Sequence, residues 1–409
     1  MRWIPAFAGM SGEGIKRLMD VFIGEWGNLL LRWAHTIVGI GWIGTSFYFI
    51  ALDYSLNQKE RKSPGVFGTA WQVHGGGFYH VEKFTVAPPN LPPHLHWFKW
   101  EAYLTWVTGF GLLIIQYYFH ASAYLIDPAV MPLEPWQAIA ISIASLLVGW
   151  VIYDGLCRVF GDRTVPLAAS VFLLILLAAV LYTKVFSGRG SFIHVGAFIG
   201  TIMAFNVFVT IIPGQRIMVG QLLRGEEPEA KYGQVAKQRS LHNNYLTLPV
   251  LLMMVSPHYP FLSAHPHAWM VVALILIVGG LFRHILNRID IGEPWEKYGW
   301  AAPVTAFALI CAIFVTAPRE AVDTGPVISD SEVLAMTAKH CTMCHARRPT
   351  HESFKEPPKN VSLETLADLK RYSQLIMIQT VRNKAMPLGN QTHMTDEERE
   401  QLGSWLRAH

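Results

Sequence analysis

Val165 to Phe186 reads VPLAASVFLLILLAAVLYTKVF, twenty-two positions with one charged side chain, Lys184. About 20 apolar residues in a helix cross the roughly 30 Å hydrocarbon core of a bilayer. A helix apolar all round has no face to turn to water, so the run predicts a membrane span. The same signature recurs at 26–52, 98–120, 136–158, 192–214, 239–256, 266–288 and 297–317. With 165–186 these make eight expected spans, of which 239–256 is the shortest and is marked by Pro249. The chain is 52% hydrophobic and 15% charged, and its apolar runs all precede residue 318. The expected fold class is therefore all-α, a polytopic helix bundle over 19–317, followed by a different kind of domain.

That domain announces itself at Cys341-Thr-Met-Cys344-His345. C-x-x-C-H is the attachment signal for haem c, with two thioether bonds and the histidine as an axial iron ligand. A redox dithiol would call for a βαβ setting, and a zinc site for a second ligand pair; the downstream sequence offers neither. Met386, in Asn383-Lys-Ala-Met-Pro-Leu-Gly389, is the expected second axial ligand, because a Met-Pro loop with a glycine can bring a thioether to the far side of the iron. Its rival, Met394, precedes Thr395-Asp-Glu-Glu398, which reads as a helix N-cap with an acidic first turn. Met394 is therefore expected to pack at that helix start, and Met343 and Met377 read as ordinary hydrophobes. Residues 327–409 resemble a small class I cytochrome c, joined to the membrane part by a Pro318–Pro326 linker.

Two arguments orient the spans. Haem c is attached on the oxidising, periplasmic side of a bacterial plasma membrane, and an even number of spans then puts the N-terminus there too. The connections expected inside carry 14 basic residues, Lys59, Arg61, Lys62, Lys83, Arg158, Arg163, Arg216, Arg224, Lys231, Lys237, Arg239, Arg283, Arg288 and Lys297; those expected outside carry Lys184 and Arg189. Arg2, Lys16 and Arg17 are exceptions, in a tail (1–18) that lacks signal-peptide anatomy and reads as disordered or mis-started. The first span would then act as an uncleaved export signal. This asymmetry accounts for the net charge of +4, leaving nothing to support nucleic-acid binding. Cys157 and Cys311 fall inside spans and read as small core residues, and no internal repeat is visible.

Polar groups in hydrocarbon cost several kcal/mol unless paired or hydrated, so they mark candidate sites. On the inner half lie Gln215 and Arg216, then His242-Asn243-Asn244-Tyr245, then Arg283-His284 with Asn287 and Arg288. The connection after the first span adds His74-Gly-Gly-Gly-Phe-Tyr-His80, where three glycines would permit close backbone approach. His242, Asn243, Arg283, His284, His74 and His80 form the candidate catalytic set: amides and guanidinium groups read the edge of a planar anion, and an imidazole takes a proton as electrons leave. A purine fits such a set, and a quinol fits almost as well. Arg216, Arg283 and Arg288 equally suit snorkelling to headgroups. On the outer half stand His35, His120, His194, His258, His265 and His267. His258, His265 and His267 flank prolines and read as loop residues. His35, inside the first span beside Gly39, Gly41 and Gly44, is a candidate haem b ligand or a hydrogen-bonded core histidine.

The runs Asn28-Leu-Leu-Leu-Arg-Trp-Ala-His35, Trp42-Ile-Gly-Thr-Ser-Phe-Tyr48, Val73-His-Gly-Gly-Gly-Phe-Tyr-His80, Asn206 to Pro213 and Leu241-His-Asn-Asn-Tyr-Leu-Thr-Leu-Pro249, joined to a haem-motif tail, resemble the bacterial membrane-bound urate oxidase (urate hydroxylase) family. The resemblance extends from about Met19 onward and implies the two-electron oxidation of urate, with water as the oxygen source, to 5-hydroxyisourate. By the same resemblance two electrons leave through haem c to a respiratory-chain cytochrome c or terminal oxidase, without peroxide release. Haem c carries one electron at a time, and an inner urate site would lie across a core of roughly 30 Å from an outer haem. A haem b on His35 and a second histidine is the candidate relay; a urate site on the periplasmic side is the alternative. Two other functions stay open: a quinol-to-cytochrome electron-transfer subunit, and a transporter or sensor whose haem reports redox state.

Overall fold

The computed structural model describes residues 12–59, 65–263, 265, 267–317, 328–351 and 354–409, with side chains from residue 24. In chain order the elements are α1 (Gly12–Ser55), β1 (Val66–His74), β2 (Gly77–Phe84), α2 (Trp100–Leu113), α3 (Ala121–Tyr124), α4 (Pro135–Phe160), α5 (Thr164–Val185), α6 (Gly188–Phe205), α7 (Ile212–Leu223), α8 (Ala230–Val255), α9 (Pro260–Ser263), α10 (Ala268–Ile291), α11 (Trp295–Tyr298) and α12 (Ala301–Thr316). The C-terminal segment adds α13 (Asp330–His340), α14 (Thr342–His345), α15 (Leu366–Arg371), α16 (Ser373–Ile376) and α17 (Asp396–Ala408). Wide π-type turns at Ile114–Tyr118, Asn206–Ile211 and Met377–Arg382 extend α2, α6 and α16. The linker at 318–326, Arg61, Lys62 and residues 1–11 lie outside the described residues; 12–18, read from the sequence as tail, are helical.

Five described helices are long and apolar enough to cross a membrane: Gly24–Ser55, Pro135–Phe160, Thr164–Val185, Gly188–Leu223 and Ala268–Ile291. Helices also stand at the other three expected spans, but α2 gives way to its π turn after fourteen residues, α8 carries Lys231, Lys237 and Arg239 in its first half, and α12 has sixteen residues. α5 shows how the helices sit. Leu167, Val171, Ile175 and Tyr182 are buried along one face, while Leu173, Leu177 and Leu181 are more than half exposed along the opposite one. A helix whose outward face is leucine is built for lipid rather than water.

The molecule divides into two compact units, residues 1–119 with 204–240, and 120–203 with 241–409. In the first, α1 packs on α2, and Ala102, Val207 and Ile212 form a small core with Trp42, Trp97 and Tyr103. This unit corrects the all-α expectation, because β1 and β2 form an antiparallel hairpin with Trp71 opposite His80 and His74 opposite Gly77. Its turn is Gly75-Gly76, at φ +57° and +80°. Two successive positive φ values suit the right-handed twist of a two-residue hairpin, and glycine adopts them without a Cβ clash. These glycines thus serve the turn, and a Cβ at Gly75 or Gly76 would meet no neighbour.

In the second unit, α4, α6, α8 and α10 approach one another where glycines remove side chains. A Cβ on Gly149 of α4 would fall 1.9 Å from Phe198 Cε2 of α6, one on Gly196 3.1 Å from Met253 Cβ of α8, and one on Gly279 of α10 2.7 Å from Pro249 Cδ of α8. Pro249 is therefore accommodated inside a continuous helix by its neighbour. The C-terminal helices enclose their own core of Val333, Leu363, Leu369, Ile376, Met377, Met394, Leu402, Trp405 and Leu406. Ser329, Thr365 and Thr395 cap α13, α15 and α17, each in a reciprocal pair with the acid three residues on.

Candidate functional site

Positions 283 and 287 are one turn apart on α10, so both side chains emerge on the same face. Arg283 Nε donates to Asn244 Oδ1 at 3.1 Å, and Asn287 Nδ2 donates to the same oxygen at 2.9 Å. All three residues are buried, Asn244 completely. The guanidinium is always a donor, so it fixes which end of Asn244 is oxygen, and Asn287 must then offer its nitrogen. Two amide atoms are left over. Asn244 Nδ2, a donor, and Asn287 Oδ1, an acceptor, are buried without a hydrogen-bond partner among the described residues. An adjacent donor and acceptor beside a guanidinium complement a planar molecule that presents a carbonyl next to a ring N–H.

Two imidazoles stand on the same helices as this trio, and each is tied at Nδ1 to a phenol. Tyr153 of α4, fully buried, shares a 2.7 Å hydrogen bond with His242 Nδ1, with Cys157 Sγ 3.9 Å from the same nitrogen. Tyr245 shares a 2.9 Å bond with His284 Nδ1. Asn243 faces elsewhere, donating to the Met203 carbonyl at 2.9 Å. Of the candidate set, His242, Asn243, Arg283 and His284 thus lie on α8 and α10 within one unit, with Asn244, Asn287, Tyr153 and Tyr245 beside them. Arg283 is buried on Asn244 rather than directed to the surface, whereas Arg288 pairs with Glu293 at 3.0 Å. His74 and His80 belong to the other unit, exposed on the hairpin, where Trp71 lies against His80. Gln215 and Arg216 are exposed on α7 of that unit. Tyr153 carried no sequence signal, since a tyrosine in an apolar run reads as core.

The structure places His35 on α1 against α2, with Nδ1 donating to the Thr105 carbonyl at 3.0 Å beside Thr108 Oγ1. A carbonyl only accepts, so the proton is on Nδ1. The room for the ring comes from Gly109, where a Cβ would lie 2.8 Å from His35 Cε1; of the glycines after His35 on α1, Gly41 faces α2, with Glu101 Cγ 3.6 Å from a Cβ there, and Gly39 and Gly44 have nothing within 4 Å. A bis-histidine haem b needs a second imidazole, and the other described histidines of that unit, His74, His80, His94 and His96, sit on the hairpin and the loop after it rather than on a span. His194, in the second unit, has Nε2 on Ser142 Oγ and Nδ1 on the Gly190 carbonyl, both at 2.7 Å. This donor set does not fit a haem b, and no step is routed through one.

In the C-terminal segment, Cys341, Cys344 and His345 lie on and just before α14. His345 Nδ1 donates to the Val361 carbonyl at 2.8 Å, which fixes the ring and turns its other nitrogen outward, as metal-bound histidines are held. Burial and the neighbouring Cys344 push the Cys341 thiol up to about 12, against the pull of Arg399. That is the reverse of the acidified thiol of a redox dithiol. Met394 is buried in the segment's core, while Met386 is half-buried on the loop after residue 382. The set Cys341, Cys344, His345 and Met386 could hold a haem through two thioethers and two axial ligands.

The family model described as Urate oxidase N-terminal matches residues 21–317, about three quarters of the chain. The chain belongs to the urate oxidase N-terminal family. Its matched part runs from α1 through α12 and contains the Asn244–Arg283–Asn287 trio, so urate-related oxidase chemistry and the trio share one region; the C-terminal segment lies beyond it. No curated protein and no solved structure matches the chain.

Proposed function

We propose that the chain is a membrane-bound urate hydroxylase of the bacterial plasma membrane, with eight spans and a periplasmic cytochrome c domain. The reaction is urate plus water giving 5-hydroxyisourate, two protons and two electrons. The observation that carries the reading is the buried donor and acceptor left by Asn244 and Asn287 beside Arg283, inside the family-matched region. Asn244 Nδ2 would donate to a urate carbonyl, Asn287 Oδ1 would accept from the adjacent ring N–H, and Arg283 would balance the anion's charge. With Tyr245 accepting from Nδ1–H, His284 presents Nε2 as the proton acceptor; Tyr153 and His242 offer a second such pair. A haem c bound by Cys341, Cys344, His345 and Met386 supplies one-electron transfer toward a respiratory-chain cytochrome c or terminal oxidase.

A quinol, with its own hydroxyl and oxo groups, could address the same donor and acceptor, and one experiment separates the two readings. Urate added anaerobically to the oxidised, detergent-purified protein is expected to reduce its haem, and no peroxide is expected on admitting oxygen. Haem that stays oxidised under excess urate but is reduced by a quinol would transfer the proposal to a quinol-to-cytochrome subunit. His284→Ala and His242→Ala, at unchanged haem content, are each expected to slow reduction by about 10²-fold or more if they take the protons.

A further inference from the structure

Gly389 lies three residues after Met386, in the left-handed region at φ +59°. A Cβ there would fall 2.9 Å from the Ser122 carbonyl oxygen and 3.0 Å from those of Ala123 and Ile126. Three main-chain oxygens of the α3 turn therefore converge on one glycine of the Met386 loop, an approach that any side chain would block. The turn is itself fixed. Ser187 N–H donates to the Leu125 carbonyl at 2.9 Å and its Oγ to that of Tyr124 at 2.8 Å, and Leu125 and Ile126 are buried.

The loop is held equally firmly from its other side. Arg399, buried at the start of α17, donates through Nη1 to the carbonyls of Met386 and Thr380, both at 2.5 Å, and through Nη2 to Asn390 Oδ1 at 3.3 Å. Its charge also acts on Asp127, next to the α3 turn. Burial raises the Asp127 carboxyl, while the Ala129 N–H, Arg399 and His393 pull it down. One guanidinium thus fastens the backbone of the candidate iron ligand and acts through its charge on an acid beside the α3 turn.

The geometry points to a fixed dock, in which the Met386 loop seats on the 120–127 turn and the contact is the entry route for electrons leaving the membrane helices. This rests on the proposed urate reading for the donor. A haem held by Cys341, Cys344, His345 and Met386 would accept the two electrons of each urate one at a time, with a one-electron respiratory acceptor taking each in turn, while the two protons would stay with acceptors of the membrane part. In this scheme Gly389 and Asp127 position the domain and Arg399 positions the Met386 loop.

The test uses the full-length haem-loaded protein with Asp127→Lys, which leaves the C-terminal segment's own residues intact, and Gly389→Ala. Three quantities are read: amide hydrogen exchange at 121–127 and 388–391, anaerobic haem reduction by urate, and direct reduction by ascorbate. Both variants are expected to lose exchange protection in both segments and to be reduced by urate about tenfold or more slowly, with haem content and the ascorbate rate unchanged. Unaltered exchange, or lost protection with an unchanged urate rate, would overturn the dock as entry route. Failure of urate to reduce the wild type would sink the urate reading alone; the same comparison is then made with a quinol as donor.

Discussion

Asn287→Leu separates a ligand site from a structural contact, because the two roles predict opposite signs. The side chain donates one hydrogen bond, to Asn244 Oδ1, an oxygen that also receives Arg283 Nε. Losing a neutral bond costs about 0.5–1.5 kcal/mol, and Asn244 Oδ1 keeps its charged donor. Against that, Asn287 Oδ1 is buried without a partner among the described residues, a condition worth about 1–3 kcal/mol of destabilisation that the apolar isostere removes. The protein without ligand should therefore unfold at the same temperature or slightly higher. If urate binds as proposed, the variant loses an acceptor for a ring N–H and leaves that group unpaired, at about 1.5–3 kcal/mol, which weakens binding roughly 10- to 100-fold. The assay is a pair of thermal melts in detergent with and without saturating urate, alongside the urate dependence of haem reduction. Wild-type urate dependence, or a melting temperature lowered by several degrees without ligand, would refute the assignment.

Other expectations follow from the same geometry. Gly149→Ala forces a methyl to within 1.9 Å of Phe198 and should cost about 1–3 kcal/mol or more, whereas Gly155→Ala on the same helix meets nothing within 4 Å and should stabilise by about 0.5–1 kcal/mol; melts of the two variants check the contrast. With haem c held as proposed, Met386→Ala should open the iron to exogenous ligand and lower its potential, while Met394→Leu, a swap within the core, should cost under about 1.5 kcal/mol and leave the haem spectrum alone. Glu398 is pulled upward by desolvation but is held down to about 2 by Lys339, the Thr395 N–H and His340. A carboxyl depressed on folding contributes stability above its ordinary 4.5 and loses that contribution as pH falls toward 2. Glu398→Gln should accordingly flatten the acid limb of the C-terminal segment's stability, followed by fluorescence of Trp405 between pH 5 and 2.

What was legible in the sequence was whatever periodicity and local chemistry encode. The apolar runs gave helices at all eight expected positions, and Thr395 was readable as a cap because capping is a contact between neighbours in sequence. The hairpin was missed because its strands lie among helices and its three glycines read equally well as room for a ligand; only paired positive φ values distinguish a turn. His242, Asn243, Arg283 and His284 were singled out by asking which polar groups are expensive in hydrocarbon. That question selects residues but not partners: Tyr153 and His242 are 89 positions apart, and His74 and His80, added for the glycines between them, lie on the hairpin of the other unit. Gly109, which makes room for His35, stands on a different helix from the glycines that sequence proximity suggested.

A membrane setting, for which five helices are long and apolar enough, would sharpen what the trio implies. In a water-soluble core, an unpaired amide edge can be relieved by a small rearrangement that admits solvent. Among apolar helices there is no bulk water to admit, and every polar atom must be met by protein, by a trapped water or by a ligand. Asn244 and Asn287 could each have been an apolar residue of similar size, as their neighbours Leu246 and Leu286 are, at no loss of packing. Keeping two amides there and charging the group with Arg283 costs stability in the empty protein. A cost of that kind is recovered when a molecule with the opposite pattern of donors and acceptors arrives, and its binding is then favoured by the strain it relieves. A ureide edge has that pattern, and an alkyl-substituted analogue with its ring N–H groups methylated does not. Such methylated analogues should therefore compete poorly with urate even where they fit by shape, and an N-methylated urate that bound as tightly as urate itself would remove the trio from the site.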